Sequence, residues 1–424
     1  MKKPFVTYTL CCILVLTSFL SFGQDSKGNF IPDRKTGCTV WYKVGFPEDS
    51  VTWSGGCKDK LADGYGTLVG FSKGKPTSRY VGTMRAGKEN GKGVFTFAGN
   101  TLKLAGNFSG GEILNLREDC LAHLHKRVVF SVDSMDYYVN DNNEKLLYYH
   151  AIVPDGRIKG AVVLLPGTFE TTEHLMSSMA AFCALAYDNH LAILVPSINQ
   201  RLTLTEQAVT ILNAVFSDAM RQYGLPGDRF VIGGWSMGGL FSLRYTELAI
   251  GDPTKTVIRP VAVFSCDGPC DLENIFANAT RKLARRPGQG EPAYTIAELN
   301  KYCGGEPAAV PEKYRYFSCY SHALADGGNA RFLKNTPVRI YDDVDPNWWM
   351  ANRGVDMYDM NALDQTAMIL LLNQLGNKRA EFINPFGKGY RIEGNRHPHS
   401  WSIVDPRDTI QWILKYVNQV RPIG

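Results

Sequence analysis

The sequence predicts a protein with two unlike parts, a small all-β segment followed by a larger α/β domain. Over residues 50–115, glycines and alternating apolar residues recur at regular spacing, which is typical of short β-hairpins. From about residue 128, short apolar runs alternate with amphipathic helical stretches. This alternation predicts a mostly parallel sheet with helices on both faces. A chain of 424 residues is long enough for two or three such domains.

The composition excludes several classes of protein. Hydrophobic residues make up 44% of the chain and charged residues 21%, so neither wholesale disorder nor a polytopic membrane protein fits. Residues 24–115 carry 13 basic and 8 acidic side chains, whereas residues 116–424 carry 31 and 33. A slightly acidic large part does not indicate nucleic-acid binding. The basic first part is expected to be attracted to an anionic lipid or envelope surface, with screening by salt.

The N-terminus has the features of an export signal. Lys2 and Lys3 precede an apolar run from about Tyr8 to Leu20, and small or polar residues follow. We expect cleavage near Gly23, which would remove residues 1–23 and deliver the protein to the periplasm or exterior of a bacterium. The alternative is a retained membrane anchor, although the run is shorter than the roughly 20 apolar residues that a spanning helix needs.

Export changes what the cysteines predict, because disulfides persist in oxidising compartments. Eight cysteines lie outside the signal, and their pairing cannot be deduced from the sequence. Proximity along the chain suggests three pairs: Cys38 with Cys57, Cys266 with Cys270, and Cys303 with Cys319. A zinc site is the alternative, but no pair of Cys-x-x-Cys motifs is present.

The repeat in the first part aligns with itself at a fixed offset. Residues 53–66 match residues 80–93 at an offset of 27, and a shorter copy over residues 104–111 follows at an offset of 24. This pattern resembles a MORN repeat, in which successive hairpins stack into a ribbon. The resemblance implies contact with proteins or lipids, and the alternative is a β-scaffold without such a role. We expect residues 38–115 to form a separable ribbon, joined by a linker at 116–127, that contributes no catalytic residue.

A Gly-x-Ser-x-Gly motif joins an apolar strand to a helical run at Gly234–Gly238. In this context the serine is expected on a tight strand-to-helix turn, with its hydroxyl exposed at the end of a sheet. The following helix directs its first amides and the positive end of its dipole at developing negative charge. Ser236 is therefore the predicted nucleophile, and the amide of Met237 is one predicted oxyanion donor.

Residues 128–424 resemble an α/β-hydrolase, because a nucleophile elbow lies within an alternating strand and helix pattern. The resemblance implies a serine hydrolase that needs no cofactor and no metal, with the order nucleophile, acid, base. It also implies a second oxyanion amide from the loop after the third strand, where we expect Thr168 or Phe169 to donate. Residues 271–334 interrupt the pattern and are expected to form a partly helical lid.

The family usually carries its acid after the strand that follows such an insertion. Three aspartates lie there, and Asp345, which precedes a proline, matches the family position best. Asp343 is the nearest alternative. Asp267, after the preceding strand, is a second alternative because some relatives take the acid from that position.

The base is expected near the C-terminus, where His397 and His399 follow the last predicted strand. The His-Ser-Trp sequence that starts at His399 resembles the usual surroundings of the base, so His399 is preferred and His397 remains the alternative. A metal bound by the His-x-His pair is a further alternative. Trp235, Trp348 and Trp349 are expected to line the substrate site.

The sequence thus predicts a secreted serine hydrolase that cleaves a carboxylic ester through an acyl-enzyme. A serine peptidase of the same fold is the first alternative, because its parts are the same. The second alternative belongs to another class: a secreted interaction protein with an inactive hydrolase domain, in which the repeats are the working surface.

Overall fold

The computed structural model describes residues 29–42, 48–97, 103–131, 137–139 and 146–419. The predicted export signal lies outside these residues. Within them, no helix combines the length and the apolar character that crossing a membrane requires.

The N-terminal part is a nine-stranded sheet. Its strands are β1 (Asn29–Pro32), β2 (Thr39–Tyr42), β3 (Ser50–Trp53), β4 (Gly56–Lys58), β5 (Leu61–Ser72), β6 (Lys75–Arg85), β7 (Lys88–Phe97), β8 (Lys103–Ser109) and β9 (Glu112–Leu114). The order is β1-β2-β5-β6-β7-β8-β9, and β3 and β4 each pair with β5. Strands β5 to β9 run antiparallel to their successive neighbours.

The glycines that define the sequence repeat face one another across this sheet. Gly82 on β6 pairs with Gly66 on β5 and with Gly93 on β7. A Cβ atom added at Gly82 or Gly93 would lie 2.3 or 2.4 Å from atoms of the buried Tyr80 side chain. These two glycines are therefore required because the tyrosine side chain occupies the space that their side chains would fill.

One of the three suggested disulfides is confirmed. Cys38 and Cys57 are bonded and link the start of β2 to β4. The other two pairings are wrong, because the cysteines involved are free thiols. Cys266 donates to the carbonyl oxygen of Ser400, Cys270 to that of Gly268, and Cys319 to that of Cys270. Proximity along the chain misleads here because the insertion folds back onto the loop after Cys266.

The C-terminal part contains an eight-stranded sheet and eleven α-helices within the described ranges. The strands are β10 (Leu124–Ser131), β11 (Leu146–Ile152), β12 (Gly160–Leu165), β13 (Leu191–Pro196), β14 (Phe230–Trp235), β15 (Ala262–Cys266), β16 (Val338–Tyr341) and β17 (Ala380–Ile383). The order is β10-β11-β13-β12-β14-β15-β16-β17, and all pairs are parallel except those that involve β11. The predicted mostly parallel sheet is confirmed.

The helices lie on both faces of this sheet. They are α1 (Glu118–Ala122), α2 (Thr172–Ser178), α3 (Ala180–Asp188), α4 (Glu206–Tyr223), α5 (Met237–Gly251), α6 (Leu272–Arg285), α7 (Gly290–Cys303), α8 (Pro311–Phe317), α9 (Pro346–Arg353), α10 (Ala362–Gln374) and α11 (Pro406–Val417). Successive residues of β12 point into two cores, one shared with α4 and α5 and the other with α3 and α11. Such alternation is expected of a strand covered on both faces. The predicted α/β layering is confirmed.

Two segments that the sequence did not assign to the regular strand and helix pattern, residues 116–127 and residues 271–334, contain helices. Residues 116–127, expected to be a linker, hold α1 and the start of β10, and Leu116 and Cys120 are buried in the second of these cores. Residues 271–334 hold α6, α7, α8 and most of a 3₁₀ turn over Gly328–Asn335, so this insertion is helical for much of its length. Apolar burial explains why the segment after residue 115 is ordered with the larger part.

A buried histidine makes the stability of this fold sensitive to acid. His150 on β11 is 5% exposed, and burial lowers its pKa from 6.5 to about 3. Between these two pH values, the imidazole of His150 takes up a proton in the unfolded chain but not in the folded one. The contribution of neutral His150 to the free energy of unfolding is therefore fully present above pH 6.5 and decreases as the pH falls toward 3. We expect about 1.4 kcal/mol of unfolding free energy to be lost per pH unit in that range through this residue. Urea denaturation should give a shallower decrease for His150→Gln, and an equal slope would contradict the assignment.

Candidate functional site

Ser236 lies in a strained turn between β14 and α5. Its backbone has φ 55° and ψ −125°, and its amide donates to the carbonyl oxygen of Cys266. A Cβ atom at Gly234 would lie 2.0 Å from the carbonyl oxygen of Gly238, and one at Gly238 would lie 2.3 Å from that of Leu165. The two glycines of the motif therefore let three backbone segments approach closely. Ser236 is half-buried, whereas the residues on either side are buried.

His399 is held beside this turn by an indole and a carboxylate. Its ring centroid is 4.8 Å from that of Trp235, the residue that precedes Ser236. Its Nδ1 atom lies 2.6 Å from Oδ2 of Asp267, which is the length of a strong charge-assisted hydrogen bond. In the described part of the chain, Nε2 of His399 and the hydroxyl of Ser236 carry no hydrogen bond. Nucleophile and base contacts are often loose before substrate binds.

The carboxylate next to His399 is thus Asp267 and not Asp345, which corrects the preferred prediction. Asp345 accepts from the amide of Trp348 at 3.0 Å, which caps α9, and pairs with Arg396 at 3.0 Å. Asp343, the nearest alternative, is fully buried and accepts from the amides of Gly387 and Gly389 and from Arg396. Both carboxylates fasten the chain between β17 and His399 and do not contact the imidazole.

Parallel strands explain how Asp267 comes to the site. It follows β15 directly, and β15 lies beside β14, so the carboxyl ends of the two strands bring Asp267 and Ser236 to one edge of the sheet. Its left-handed backbone, with φ 47°, turns the chain sharply there. Asn361, which sequence reasoning missed, donates to Oδ1 of Asp267 at 2.9 Å and to its carbonyl oxygen at 3.1 Å. Asp267 thus has one carboxylate oxygen for Asn361 and one for His399.

The carboxyl group of Asp342 also lies close to that of Asp267. Its side chain is buried, and burial together with the charges of Asp267 and Asp343 holds its pKa well above the ordinary value of 3.8. The raised pKa favours the neutral form of Asp342 over its carboxylate. The carboxyl group that contacts His399 is that of Asp267.

The alternative base, His397, has different surroundings. Its Nε2 atom is 3.2 Å from Nη2 of Arg353, and its buried Nδ1 atom has no hydrogen-bond partner in the described residues. Burial, followed by the charges of Arg391, His399 and two further arginines, lowers its pKa to about 3. A neutral histidine that accepts a hydrogen bond from an arginine and has no carboxylate partner is a weak candidate for the base.

The two oxyanion alternatives are separated by their hydrogen bonds. The amide of Phe169 donates to the carbonyl oxygen of Asn199 at 2.8 Å, so it is not available as the predicted oxyanion donor. Among the described residues the amide of Thr168 has no acceptor, and the amide of Met237 is the first of α5, which has no partner within the helix. The close approach of Gly238 to the loop after β12 brings these two regions together. Two free amides therefore flank the turn at Ser236.

The three predicted tryptophans occupy two places. Trp235 is 8% exposed and lies against His399 and the backbone of Gly167. Trp348 and Trp349 on α9 are half-buried and pack on His397, at 4.7 and 5.7 Å between ring centroids. Contact of these rings with substrate stays a prediction.

No protein-family model and no curated protein matches the chain. Solved structures with some similarity include Est2, a thermophilic esterase from Thermogutta terrifontis, at 12% identity and a TM-score of 0.44, covering 73% of this chain and 98% of that one. MPT51 (FbpC1) of Mycobacterium tuberculosis has 15% identity and a TM-score of 0.40, covering 65% and 94%. A lipase/esterase from Lactobacillus plantarum has 11% identity and a TM-score of 0.40, covering 69% and 97%. Similarity this low does not decide the reaction, which is inferred below from the site geometry.

Proposed function

We propose that the protein is a serine hydrolase of the α/β-hydrolase superfamily that cleaves carboxylic esters, with Ser236, His399 and Asp267 as its triad. The observation that carries this proposal is the 2.6 Å contact between Asp267 and His399 beside the strained turn at Ser236. A buried carboxylate that orients an imidazole next to a serine on a strand-to-helix turn is the arrangement that activates a hydroxyl for acyl transfer.

Each group has a defined step in this mechanism. His399 Nε2 takes the hydroxyl proton as Ser236 Oγ attacks the ester carbonyl, and Asp267 stabilises the imidazolium. The amides of Met237 and Thr168 donate to the oxygen that becomes negative. His399 then protonates the leaving alkoxide, which departs as the alcohol and leaves an acyl-serine. Water, deprotonated by His399, attacks this ester, and the proton returns to Ser236 as the acid product leaves.

The insertion over residues 271–334 is proposed as a lid over this site. Tyr294 on α7 lies 5.2 Å, between ring centroids, from Phe169 in the loop after β12, and its hydroxyl donates to the carbonyl oxygen of Gln200 at 2.8 Å. These contacts bring α7 against the loop that carries the Thr168 amide. Lids of this kind exclude water and shape the substrate site.

Export to a bacterial periplasm or exterior is also proposed. It is supported by the signal-like residues 1–23 and by the Cys38–Cys57 disulfide, since disulfides persist in oxidising compartments. The N-terminal sheet is proposed as a MORN-like ribbon with affinity for anionic lipid or envelope surfaces, on the strength of its repeat and its basic excess.

A fluorophosphonate probe followed by a substrate panel tests the function. We expect the native protein to label once, at Ser236, and to hydrolyse short p-nitrophenyl esters faster than peptide anilides. Faster anilide hydrolysis would favour the peptidase, and absence of labelling would favour the inactive interaction protein.

A further inference from the structure

Arg391 is a cation placed next to the proposed triad. Its guanidinium carbon lies 4.8 Å from the ring centroid of Trp235, and the same indole packs against His399 at 4.8 Å. Trp235 directly precedes Ser236. The guanidinium and the imidazole therefore contact one side chain at the reacting centre, and the planar group is held by cation–π attraction.

The Arg391 guanidinium is half-buried and has no hydrogen-bonded carboxylate among the described residues. In the described part of the chain, the Arg391 side chain makes no hydrogen bond and no salt bridge. Glu170 and Glu393 are both near enough to attract it, and the Glu170 carboxylate already accepts from Trp401 Nε1 and from the amide of Gly167. Burial lowers the pKa of Arg391 despite that attraction. The N–H groups of a half-buried guanidinium that makes no hydrogen bond within the protein remain available to bind an anion.

The neighbouring arginine Arg396 provides the contrast. It pairs with Asp343 at 2.8 Å and with Asp345 at 3.0 Å, so its charge is compensated within the protein. Beyond His397, Arg353 adds a further positive charge, and the depressed pKa of His397 is partly caused by Arg391 and Arg353 together. Arg391 and Arg353 are thus both close enough to His397 to lower its pKa, whereas the charge of Arg396 is matched by two carboxylates.

We propose that Arg391 binds a carboxylate on the substrate, so that the preferred substrates are esters that carry a second, negatively charged carboxyl group. This inference rests on the proposed function and names its substrate class. A guanidinium forms two parallel hydrogen bonds with a carboxylate, and that of Arg391 lies against the residue that precedes Ser236.

The N-terminal sheet supports the position of Arg391. Ile392, the next residue, packs against the buried core of that sheet, and the turn is closed by hydrogen bonds between Arg391 and Asn395 and between Gly394 and Arg391. The sheet also docks on α2, where the hydroxyl of Ser177 contacts the backbone of β9 and the next residue. A chain that starts near Leu116 lacks this sheet, so its preference for anionic esters should be smaller than that of the full chain.

The test compares the rates at which the full chain hydrolyses two p-nitrophenyl esters. One is the monoester of adipic acid, and the other is a neutral ester that ends in an isopropyl group of the same shape as the carboxylate. We expect kcat/KM to be about 10- to 100-fold higher for the anionic ester, and Arg391→Gln to bring the ratio of the two values close to one. Arg391→Lys should restore part of the ratio because it keeps the charge without the planar fork.

Arg259→Gln is the matched control, because it removes one exposed positive charge just before β15, at the edge of the sheet opposite the triad. It should leave both kcat/KM values unchanged. If Arg391→Gln fails to fold, added salt should still lower kcat/KM for the anionic ester more than for the neutral one. A native enzyme that labels and hydrolyses neutral esters without preferring the anionic ester overturns this inference alone, as does a preference that survives in Arg391→Gln. A protein that neither labels nor hydrolyses either ester overturns the proposed function and this inference together.

Discussion

Ser236→Ala is expected to abolish fluorophosphonate labelling and to reduce ester hydrolysis by about 10⁴-fold or more, because a triad that lacks one member works no better than its oxyanion hole and binding groups alone. The substitution removes a hydroxyl that has no hydrogen bond in the described structure, and alanine meets the same backbone strain at φ 55° as serine. The variant should therefore fold. Labelling measured by mass spectrometry and initial rates on a p-nitrophenyl ester check the two effects separately.

Ser217→Ala is a suitable control, since it removes the hydroxyl of another half-buried serine, which lies on α4 and not in the turn between β14 and α5. It should label and turn over like the native protein. If Ser236→Ala still labels with the probe, the nucleophile is another residue and the proposed mechanism is excluded.

The strand-to-helix turn at Ser236 was predictable because its signal is local. A strand, a tight turn and a helix follow one another in the chain, and the glycines at 234 and 238 are required by backbone contacts that any such turn makes. The loop after β12, which is proposed to supply an oxyanion amide, was predictable for the same reason, but the choice between Thr168 and Phe169 was not. That choice depends on a hydrogen bond from Phe169 to Asn199, which belongs to a loop after another strand.

The proposed acid and the proposed anion-binding residue depend on contacts between distant segments. Asp267 and His399 are 132 positions apart, and which strand end faces the imidazole depends on how the loop after β17 is fastened. Asp343 and Asp345 do this through Arg396, a role that no short motif announces. Arg391 is comparable, because its place beside Trp235 depends on Ile392 packing against the N-terminal sheet. A sequence pattern lists such residues but does not say which of them meet.

Replacement of the two candidate acids should separate their roles. Asp267→Asn is expected to lower kcat by about 10⁴-fold, because an amide in place of the carboxylate favours the wrong imidazole tautomer and cannot stabilise the imidazolium. Asp345→Asn should keep kcat within about 10-fold of the native value, since asparagine also caps helices and Arg396 retains its contact with Asp343.

Stability measurements distinguish a lost reaction from a lost fold. Asparagine has nearly the same shape as aspartate, so both variants should fold and should unfold cooperatively. Asp267→Asn should nevertheless react with the fluorophosphonate slowly or not at all. A severely impaired Asp345→Asn beside an active Asp267→Asn would assign the acid to the strand after the insertion, and the contact between Asp267 and His399 would then serve only to position the loop.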